Sequence, residues 1–560
     1  MQGMTGRLFR EFSIVISGSV IISSFAALTF TPMLATKLLI KREKQNWFYT
    51  KTEPFFEGMN RWYSRSLAAF LRKRWLALPF TFITICLIGF LWNAIPAEMA
   101  PLEDRSQISI NTRGAEGVTY EYIRDYTEDI NQLVDSILPD AEAVTARVSS
   151  GSGNVRITLK DMKDRDYTQM EVAEKISKAV QKKTMARSFV QQQSSFGGRR
   201  GSMPVQYVLQ ATNLEKLQEV LPQFMAKVYE NPAFQMADVD LKFSKPEARI
   251  KINRDKASVM GVSTKNIAQT LQYGLSCQRM GYFYMNGKQY EILGEINRQQ
   301  RNKPADLKAI YIRSSNGDMI QLDNLIELEN GIAPPKLYRY NRFVSATISA
   351  GLADGKTIGQ GLDEMDKIAK ETLDDTFRTA LSGDSKEYRE SSSSLMFAFI
   401  LAILLIYLIL AAQFESFKDP LIIMLTVPLA IAGALVFMYF GDITMNIFSQ
   451  IGIIMLIGLV AKNGILIVEF ANQKQEAGED KMSAIKDAAL QRLRPILMTS
   501  ASTVLGLIPL AFASGEGAHQ RIAMGTAVVG GMVISTLLTM YIVPAIYSYI
   551  STNRIKITKE

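Results

Sequence analysis

Three shortages limit what this chain of 560 residues can do. One histidine, His519, cannot build a histidine metal centre, and the two cysteines, Cys86 and Cys277, lie far apart in an apolar and a polar region. The glycine-rich stretch SSGSGN at 149–154 lacks the lysine and the following helix start of a phosphate-binding loop. We also find no nucleophile and base at a catalytic motif spacing. These absences predict no enzyme, no metal or other cofactor, no disulfide framework and no use of ATP.

Long apolar runs, in contrast, are abundant. Seven are long enough to cross a bilayer as helices, at roughly 12–36, 75–95, 394–413, 420–440, 447–471, 495–514 and 523–550. A polar stretch of nearly 300 residues separates the second run from the third. The pattern predicts a multi-span α-helical membrane protein of about seven spans with one large water-soluble insertion.

Basic residues indicate how the spans are oriented. They concentrate between the first two runs, after the fifth run and in the tail, which places these segments in the cytoplasm. The insertion is then outside, which in a Gram-negative cell is the periplasm, and the spans lie in the inner membrane. The net charge of +9 is explained by this bias and does not require nucleic acid. The alternative for the first run is a signal peptide containing Arg7 and Arg10. The run is about twice as long as the usual apolar region of a signal peptide, which disfavours this alternative.

The basic loop between the first two runs has a second property. Aromatic residues such as Trp47, Phe55 and Trp62 alternate with arginines and lysines along it. This spacing is typical of an amphipathic helix lying in the headgroup region of the bilayer. A nucleic-acid patch has a similar composition, but the position between two spans disfavours it.

The insertion alternates short strand-like and helix-like segments. QISINTR at 107–113 precedes a helical pattern at 118–138, and NVRITLKD at 154–161 precedes another. Such units predict ferredoxin-like β-α-β subdomains, followed at about 255–345 by a hairpin-rich part with Asn-Gly turns. The predicted organisation is a span at 1–36, a cytoplasmic loop with the amphipathic interfacial helix at 37–74, a span at 75–95, a periplasmic region at 96–392, a five-span bundle at 393–550 and a cytoplasmic tail at 551–560.

Lys462 is the most unusual residue of the predicted spans. It lies inside a run of about 25 mostly apolar residues, where a charge costs at least ~2.5–3.5 kcal/mol. Snorkelling would have to cover roughly 16 Å to the cytoplasmic edge, which is further than the side chain reaches. Glu469 lies ~10 Å away along the helix axis, and the other six runs hold no Asp or Glu near the bilayer centre. We therefore expect Lys462 to have a function that needs a carboxylate from elsewhere.

Several motifs together resemble the resistance-nodulation-division (RND) efflux pumps of Gram-negative bacteria. They are PAEMAPLEDR (96–105), AAQFESFKDPLIIMLTVPLAIAGAL (411–435), IGLVAKNGILIVEFANQ (457–473), RLRPILMTSASTVLGLIPLAF (492–512) and GTAVVGGMVISTLLTMYIVPAIYS (525–548). The resemblance is greatest to the hydrophobe/amphiphile multidrug branch. It runs from Met1 to about Ile550 and corresponds to the C-terminal half of such a pump plus one span, so that five spans and a first periplasmic domain are missing. The resemblance implies that 1–36 is the last span of the first-half bundle and that 96–392 is the periplasmic porter and docking region, with the docking part at about 255–345.

The resemblance implies a transport mechanism and a set of residues. Inward proton movement drives a homotrimer that passes substrate to a periplasmic adaptor and an outer-membrane channel. Lys462 matches the intramembrane lysine of the proton relay, Asn463 its neighbour, and Arg492 and Thr499 the polar groups on the next helix. Without the resemblance, Thr499 is expected to bond a carbonyl of its own helix. The aspartates that carry the proton belong to the missing half.

The resemblance does not fix the substrate, and two alternative functions stay open. TARVSSGSGNVRITLKD at 145–161 stands where drug pumps have a longer aromatic-rich switch loop, so the class of small amphiphilic compounds is only an expectation and the substrate-binding residues are unknown. The 26 methionines raise the alternative of a metal-exporting relative, although core filling explains them better. A non-transporting membrane scaffold or inactive remnant is the other alternative.

Overall fold

The computed structural model describes residues 3–38, 47–192, 203–333, 336–353, 355–515 and 517–552. The α-helices within these ranges are α1 Gly3–Leu38, α2 Trp47–Arg72, α3 Ala77–Ala94, α4 Tyr120–Ile137, α5 Gln169–Val180, α6 Leu214–Glu230, α7 Arg254–Val259, α8 Thr264–Leu275, α9 Ile358–Thr372, α10 Gly383–Phe414, α11 Lys418–Met424, α12 Thr426–Phe440, α13 Ile447–Glu476, α14 Lys481–Ala511 and α15 Ala518–Ile550.

The β-strands lie in the long segment between α3 and α10. They are β1 Gln107–Arg113, β2 Ala143–Ser149, β3 Ser152–Thr158, β4 Arg187–Gln192, β5 Val205–Ala211, β6 Phe234–Val239, β7 Lys245–Ile252, β8 Gln278–Met285, β9 Lys288–Gly294, β10 Tyr311–Arg313, β11 Met319–Gln321, β12 Ile326–Ala333, β13 Tyr338–Tyr340, β14 Phe343–Leu352 and β15 Arg378–Leu381.

Seven helical segments of the described chain are long and apolar enough to cross a membrane, which confirms the predicted number. They are Gly6–Leu38, Arg74–Ala94, Gly383–Phe414, Lys418–Phe440, Ile447–Glu476, Lys481–Ala511 and Ala518–Ile550. A helix satisfies its own backbone polar groups, which lipid cannot do. Several helices exceed the apolar runs because polar residues continue them beyond the apolar stretch, as at the start of α10.

The innermost spans are α12, α13 and α15, which pack through small residues. A Cβ atom on Gly531 would lie 2.1 Å from Leu456 Cδ2 and 2.9 Å from the Ala430 carbonyl oxygen. A Cβ atom on Gly433 would lie 3.0 Å from the Gly530 carbonyl oxygen. Helices in lipid associate by such close backbone approach. α15 is therefore fixed against both α12 and α13.

Helix α2 lies against the bundle and has two apolar faces. Tyr63 and Leu67 are buried, and the Tyr63 hydroxyl donates a hydrogen bond to the Met540 carbonyl oxygen at 2.6 Å. Burial, followed by repulsion from the nearby Tyr541, raises the pKa of Tyr63. Phe55 and Trp62 are exposed on the other face. The predicted amphipathic character of this helix and its place at the membrane surface both stay predictions.

The first extramembrane subdomain has the order β1-α4-β2-β3-α5-β4. Its antiparallel sheet has the strand order β2-β3-β1-β4, which is a ferredoxin-like arrangement. Alternating residues of β1 and β3, among them Ile108, Ile110 and Ile157, face the two helices and form its core. Residues 145–161 belong mainly to the β2–β3 hairpin of this sheet.

The second subdomain repeats the arrangement with β5-α6-β6 and β14-α9-β15. β5 pairs with β14 and β15, and β6 pairs with the other edge of β14. The two halves of this sheet are separated in the chain by a long insertion. The prediction of ferredoxin-like α+β subdomains is thus confirmed.

The insertion, Leu241–Tyr338 together with Gly114–Tyr122, forms a second compact unit. Its antiparallel pairs are β7 with β12, β8 with β9 and β10 with β11. Asn286 and Gly287 join β8 to β9 with φ of 52° and 72°, as a two-residue type I′ turn requires. The predicted Asn-Gly hairpin is present, while its docking role stays a prediction.

Candidate functional site

Lys462 lies near the middle of α13 and faces outward. Helix α13 begins with a capping box, in which the Asn446 side chain accepts hydrogen bonds from the backbone amides of Phe448 and Ser449. The Lys462 side chain is exposed in this chain. Within the part of the chain that the structure describes, its ammonium makes no hydrogen bond or ion pair. Its surface position therefore leaves it open to a group from outside these residues.

Asn463, the next residue, faces into the bundle and joins three spans. Its side chain is 3% exposed, and its Nδ2 donates to Ser500 Oγ on α14 and to Thr536 Oγ1 on α15, both at 3.2 Å. The two hydroxyls are themselves hydrogen-bonded at 3.1 Å. This closed ring of Asn463, Ser500 and Thr536 satisfies polar groups that would be costly if unpaired in an apolar bundle.

Gly464 fixes the rotation of α13 at this level. A Cβ atom there would lie 3.2 Å from Ile423 Cγ2 and 3.4 Å from Thr426 Cγ2, at the junction of α11 and α12. Successive residues of a helix differ by about 100° around its axis. With Asn463 and Gly464 both held inside the bundle, Lys462 is directed to the outer surface.

Arg492 is on α14 and contacts α13 closer to its C-terminal end. Its guanidinium carbon lies 4.4 Å from the centroid of the Phe470 ring, a distance typical of a cation–π contact. Its Nε is buried and has no hydrogen-bond partner among the described residues. Phe470 is eight residues from Lys462, or ~12 Å along α13, so Arg492 and Lys462 contact this helix at different heights.

Thr499 bonds its own helix. Its hydroxyl donates to the Ile496 carbonyl oxygen at 3.1 Å, and its carbonyl accepts from Thr503. Of the four residues matched to the proton relay, only Asn463 forms a side-chain hydrogen bond to another helix in the described chain. The relay roles of Lys462, Asn463, Arg492 and Thr499 stay predictions.

Sequence reasoning missed Ser500 and Thr536, the partners of Asn463. Both are small hydroxyl residues within apolar runs, TSAST and VIST, and small polar residues are enriched where membrane helices meet. That signal marks them as interface residues, but it does not say which amide they contact.

A second buried polar group lies near the C-terminal ends of α13 and α15 and was also missed. Asp419 is 1% exposed and accepts a hydrogen bond from Asn472 Nδ2 at 3.3 Å. The Tyr547 hydroxyl donates to Asn472 Oδ1 at 2.6 Å and accepts from Gln475 Nε2 at 2.7 Å. The group connects α11, α13 and α15, and Asp419 lies immediately before the apolar run at 420–440.

The segment between α3 and β1 contacts the opposite, extramembrane end of the bundle. Its backbone pairs with the α12–α13 connection at Ala97 and Met445, and Thr444 donates a hydrogen bond to the Glu98 carboxylate. Burial raises the pKa of Glu98, although the Thr444 hydroxyl and the nearby His519 act in the other direction. This segment ties the start of the soluble region to the helix bundle.

The described residues contain no group of three or more His, Cys, Asp or Glu side chains arranged to hold a metal ion.

Comparison with known proteins gives one consistent result. A protein of Haemophilus influenzae described as an uncharacterized transporter is 31% identical over 568 aligned positions, which include 99% of this chain and 55% of that protein. The chain thus spans about half the length of the curated relative it matches. The AcrB/AcrD/AcrF family matches residues 1–551. Seven membrane-spanning helices, two ferredoxin-like subdomains and this match together identify the chain as a member of the AcrB/AcrD/AcrF family of RND transporters.

Proposed function

We propose that this chain is the part of a proton-coupled RND efflux transporter that contributes the intramembrane lysine, Lys462. The observation that carries the proposal is the contrast on α13 between an exposed Lys462 and a buried Asn463 whose amide nitrogen is hydrogen-bonded to two neighbouring helices. A cation at this depth is costly unless a carboxylate pairs with it. We place that carboxylate in the other part of a full-length pump.

The proposed cycle uses the pair as a two-state switch. While the partner carboxylate is ionised, it attracts the Lys462 ammonium, and when it takes a proton the attraction is lost. Lys462 is then free to contact another group, for which Thr499 is our candidate. Asn463 holds the helix in register throughout because its bonds to Ser500 and Thr536 do not involve the proton. The proton is thus the ligand that binds to one of the two states, and its binding biases the equilibrium between them.

The cellular setting follows from the same proposal. The chain is placed in the inner membrane of a Gram-negative bacterium, with its α+β region in the periplasm. It acts as a homotrimer with a periplasmic adaptor and an outer-membrane channel, and exports small amphiphilic compounds. The basic residues beside the spans support this orientation. The hairpin-rich unit with the exposed β8–β9 pair is the proposed docking part.

A non-transporting scaffold is the second candidate, because the described part of the chain supplies no partner for Lys462. Export by cells that produce this chain with the other half of the pump separates the two. A transporter loses export when Lys462 is replaced by Ala, whereas a scaffold never exports. Supplying soft metal ions and amphiphilic dyes in parallel distinguishes metal export from the export of amphiphilic compounds.

Lys474 provides the matched control. It lies on the same helix but pairs with Glu479 at 2.7 Å, so Lys474→Ala should keep export. In cells that lack the other half, the wild-type chain should already be inactive, so Lys462→Ala should cause no further loss of export. Export by this chain alone, or unchanged export by Lys462→Ala in complemented cells, would refute the proposal.

A further inference from the structure

Two adjacent carboxylates, Glu103 and Asp104, connect different parts of the molecule. Glu103 is 3% exposed, and its Oε1 accepts a hydrogen bond from the backbone amide of Gln520 at 3.1 Å. Gln520 is in the first turn of α15, which begins at Ala518. Amides of a first helical turn have no partner within the helix, and that end carries partial positive charge. A buried carboxylate at this position therefore holds the start of α15.

Asp104 is bound to the first ferredoxin-like subdomain. Its Oδ2 accepts from the Gln169 amide at 2.9 Å, at the start of α5, and its Oδ1 accepts from the Ser106 amide at 3.0 Å. Arg165, whose side chain is 0% exposed, forms an ion pair with it at 2.5 Å. Burial opposes ionisation, but these hydrogen bonds and the guanidinium outweigh it, so that the pKa of Asp104 lies below its usual value.

The partners of Asp104 are themselves held firmly. The Arg165 guanidinium also donates to the carbonyl oxygens of Lys160 and Tyr167, at 3.0 and 2.9 Å. The Gln169 side chain, which is fully buried, accepts from the amides of Arg105 and Gln107 at 2.9 and 3.1 Å. The segment that enters β1 is thus fixed to the subdomain from Asp104 onward.

Helix α15 connects this junction to the candidate site. Thr536, which bonds Asn463 beside Lys462, lies sixteen residues beyond Gln520 on the same helix, or ~24 Å at 1.5 Å per residue. Gly530 and Gly531 lie between them, in close contact with α12 and α13. A continuous helix therefore carries one contact with the relay helix and one with Glu103.

From this arrangement we propose that Glu103 is a positioning residue that couples α15 to the first ferredoxin-like subdomain. The inference rests on the proposed proton-coupled function, and it names the contact through which helix movement reaches the soluble region. Consecutive residues of an extended chain are at most ~3.6 Å apart along it. Because Glu103 holds α15 and Asp104 holds the subdomain, almost no slack separates the two.

Coupling of this kind has a thermodynamic consequence that a purely structural contact lacks. If proton binding in the bundle changes the affinity of the subdomain for a ligand, that ligand must change the free energy of proton binding by the same amount. Removing the Glu103 contact should therefore weaken communication in both directions while each part stays folded.

The variants follow from the atoms involved. Glu103→Leu removes the acceptor, and Glu103→Gln keeps an acceptor oxygen without the charge. Gln520→Pro removes the amide donor, and proline is tolerated in the first turn of a helix. Gln520→Ala keeps the backbone amide and is the matched control. Two independent changes, on opposite sides of one hydrogen bond, guard against a single variant that misfolds.

The experiment is hydrogen exchange by mass spectrometry on the complete transporter in liposomes, with and without an imposed proton gradient. The wild type should show a gradient-dependent change both in α13 and in β1. Glu103→Leu and Gln520→Pro should keep the change in α13 and lose most of it in β1, with substrate export lost in parallel. Glu103→Gln should have an intermediate response, and Gln520→Ala should resemble the wild type.

The contrary results are distinct from one another. A gradient response of β1 that survives in both Glu103→Leu and Gln520→Pro would overturn the inference. The inference would also be overturned if hydrogen exchange of β1 in these variants became faster by the same factor with and without the gradient. That result would show that the variants lose stability and not coupling. The absence of any gradient response in wild-type α13 would refute proton coupling itself, and this inference with it.

Discussion

Lys462 and Asn463 are adjacent on α13 but face opposite environments: the lysine is exposed, and the asparagine is buried and hydrogen-bonded to both Ser500 and Thr536. The buried residue joins the helix that carries Lys462 to its neighbours. Because Asn463 bonds α13 to both α14 and α15, a shift of α13 when the ammonium changes partners would be passed to these two helices.

The Asn463 ring should contribute to stability. Asn463→Ala leaves two buried hydroxyls with fewer partners and should destabilise the protein by about 1–3 kcal/mol. Thr499→Ala removes only a bond to the residue's own helix and should cost less than about 1 kcal/mol. Thermal unfolding of the detergent-solubilised protein measures both. Equal shifts in the melting temperature would mean that the ring has no special role.

The buried group around Tyr547 gives a second stability prediction. Tyr547→Phe removes the hydroxyl that bridges Asn472 and Gln475, leaving two buried amides less well satisfied, and should cost about 1–3 kcal/mol. Tyr549 is 45% exposed, and Tyr549→Phe keeps the ring that Arg74 contacts. That control should change stability by about 0.5 kcal/mol or less. A comparable loss in both variants would contradict the importance of the bridge.

Glu98 predicts a pH dependence of stability. Its pKa in the folded protein lies above the ordinary value of 4.5 because burial penalises the carboxylate. The contribution of Glu98 to the free energy of unfolding is therefore fully present below that value, and it is lost as the pH rises through the raised pKa. Glu98→Gln should flatten that decline, which melting temperatures measured across the pH range would show.

Glu174 supplies a control of opposite sign for the pH experiment. Its pKa is lowered by the hydrogen bond and attraction of Lys178, so its contribution is present above the ordinary value and is lost as pH falls. The pair is exposed and should matter little. A Glu98→Gln variant whose pH profile matches the wild type would show that Glu98 is not penalised in the fold.

Close helix packing predicts opposite effects of the same substitution at two glycines. Gly525→Ala would place a Cβ atom 2.6 Å from the Ala511 backbone nitrogen and 2.7 Å from the Leu510 carbonyl carbon, and backbone atoms cannot move aside cheaply. It should destabilise the junction of α14 and α15. Gly506→Ala meets nothing within 4 Å and should be neutral or stabilising by up to about 1 kcal/mol. Thermal unfolding that ranks them the other way would contradict this packing.

Much of the fold could be predicted because local pattern determines it. Apolar run length specified the spans, and β-α-β periodicity specified the two ferredoxin-like subdomains. Asn286 and Gly287 predicted their turn because a type I′ turn needs two residues that tolerate positive φ. In each case the responsible residues are neighbours in the chain.

The contacts that organise the candidate site could not be predicted in this way. Asn463 meets Ser500 and Thr536 through helices that pack only in the folded bundle, and a hydroxyl in an apolar run does not reveal its partner. Glu103 contacts the backbone of Gln520, so the identity of that side chain carries no signal. Lys462 is the exception, because a charge in an apolar run is conspicuous in the sequence itself.

Substrate-stimulated proton influx into liposomes tests the central claim most directly. The complete transporter, containing this chain and the other half, would be compared with its Lys462→Ala and Lys474→Ala variants, with proton flux followed by a pH-sensitive dye. We predict influx in the wild type and in Lys474→Ala, and only the rate of protein-free liposomes in Lys462→Ala. Influx through Lys462→Ala at the wild-type rate would contradict the assignment of Lys462 to the proton relay.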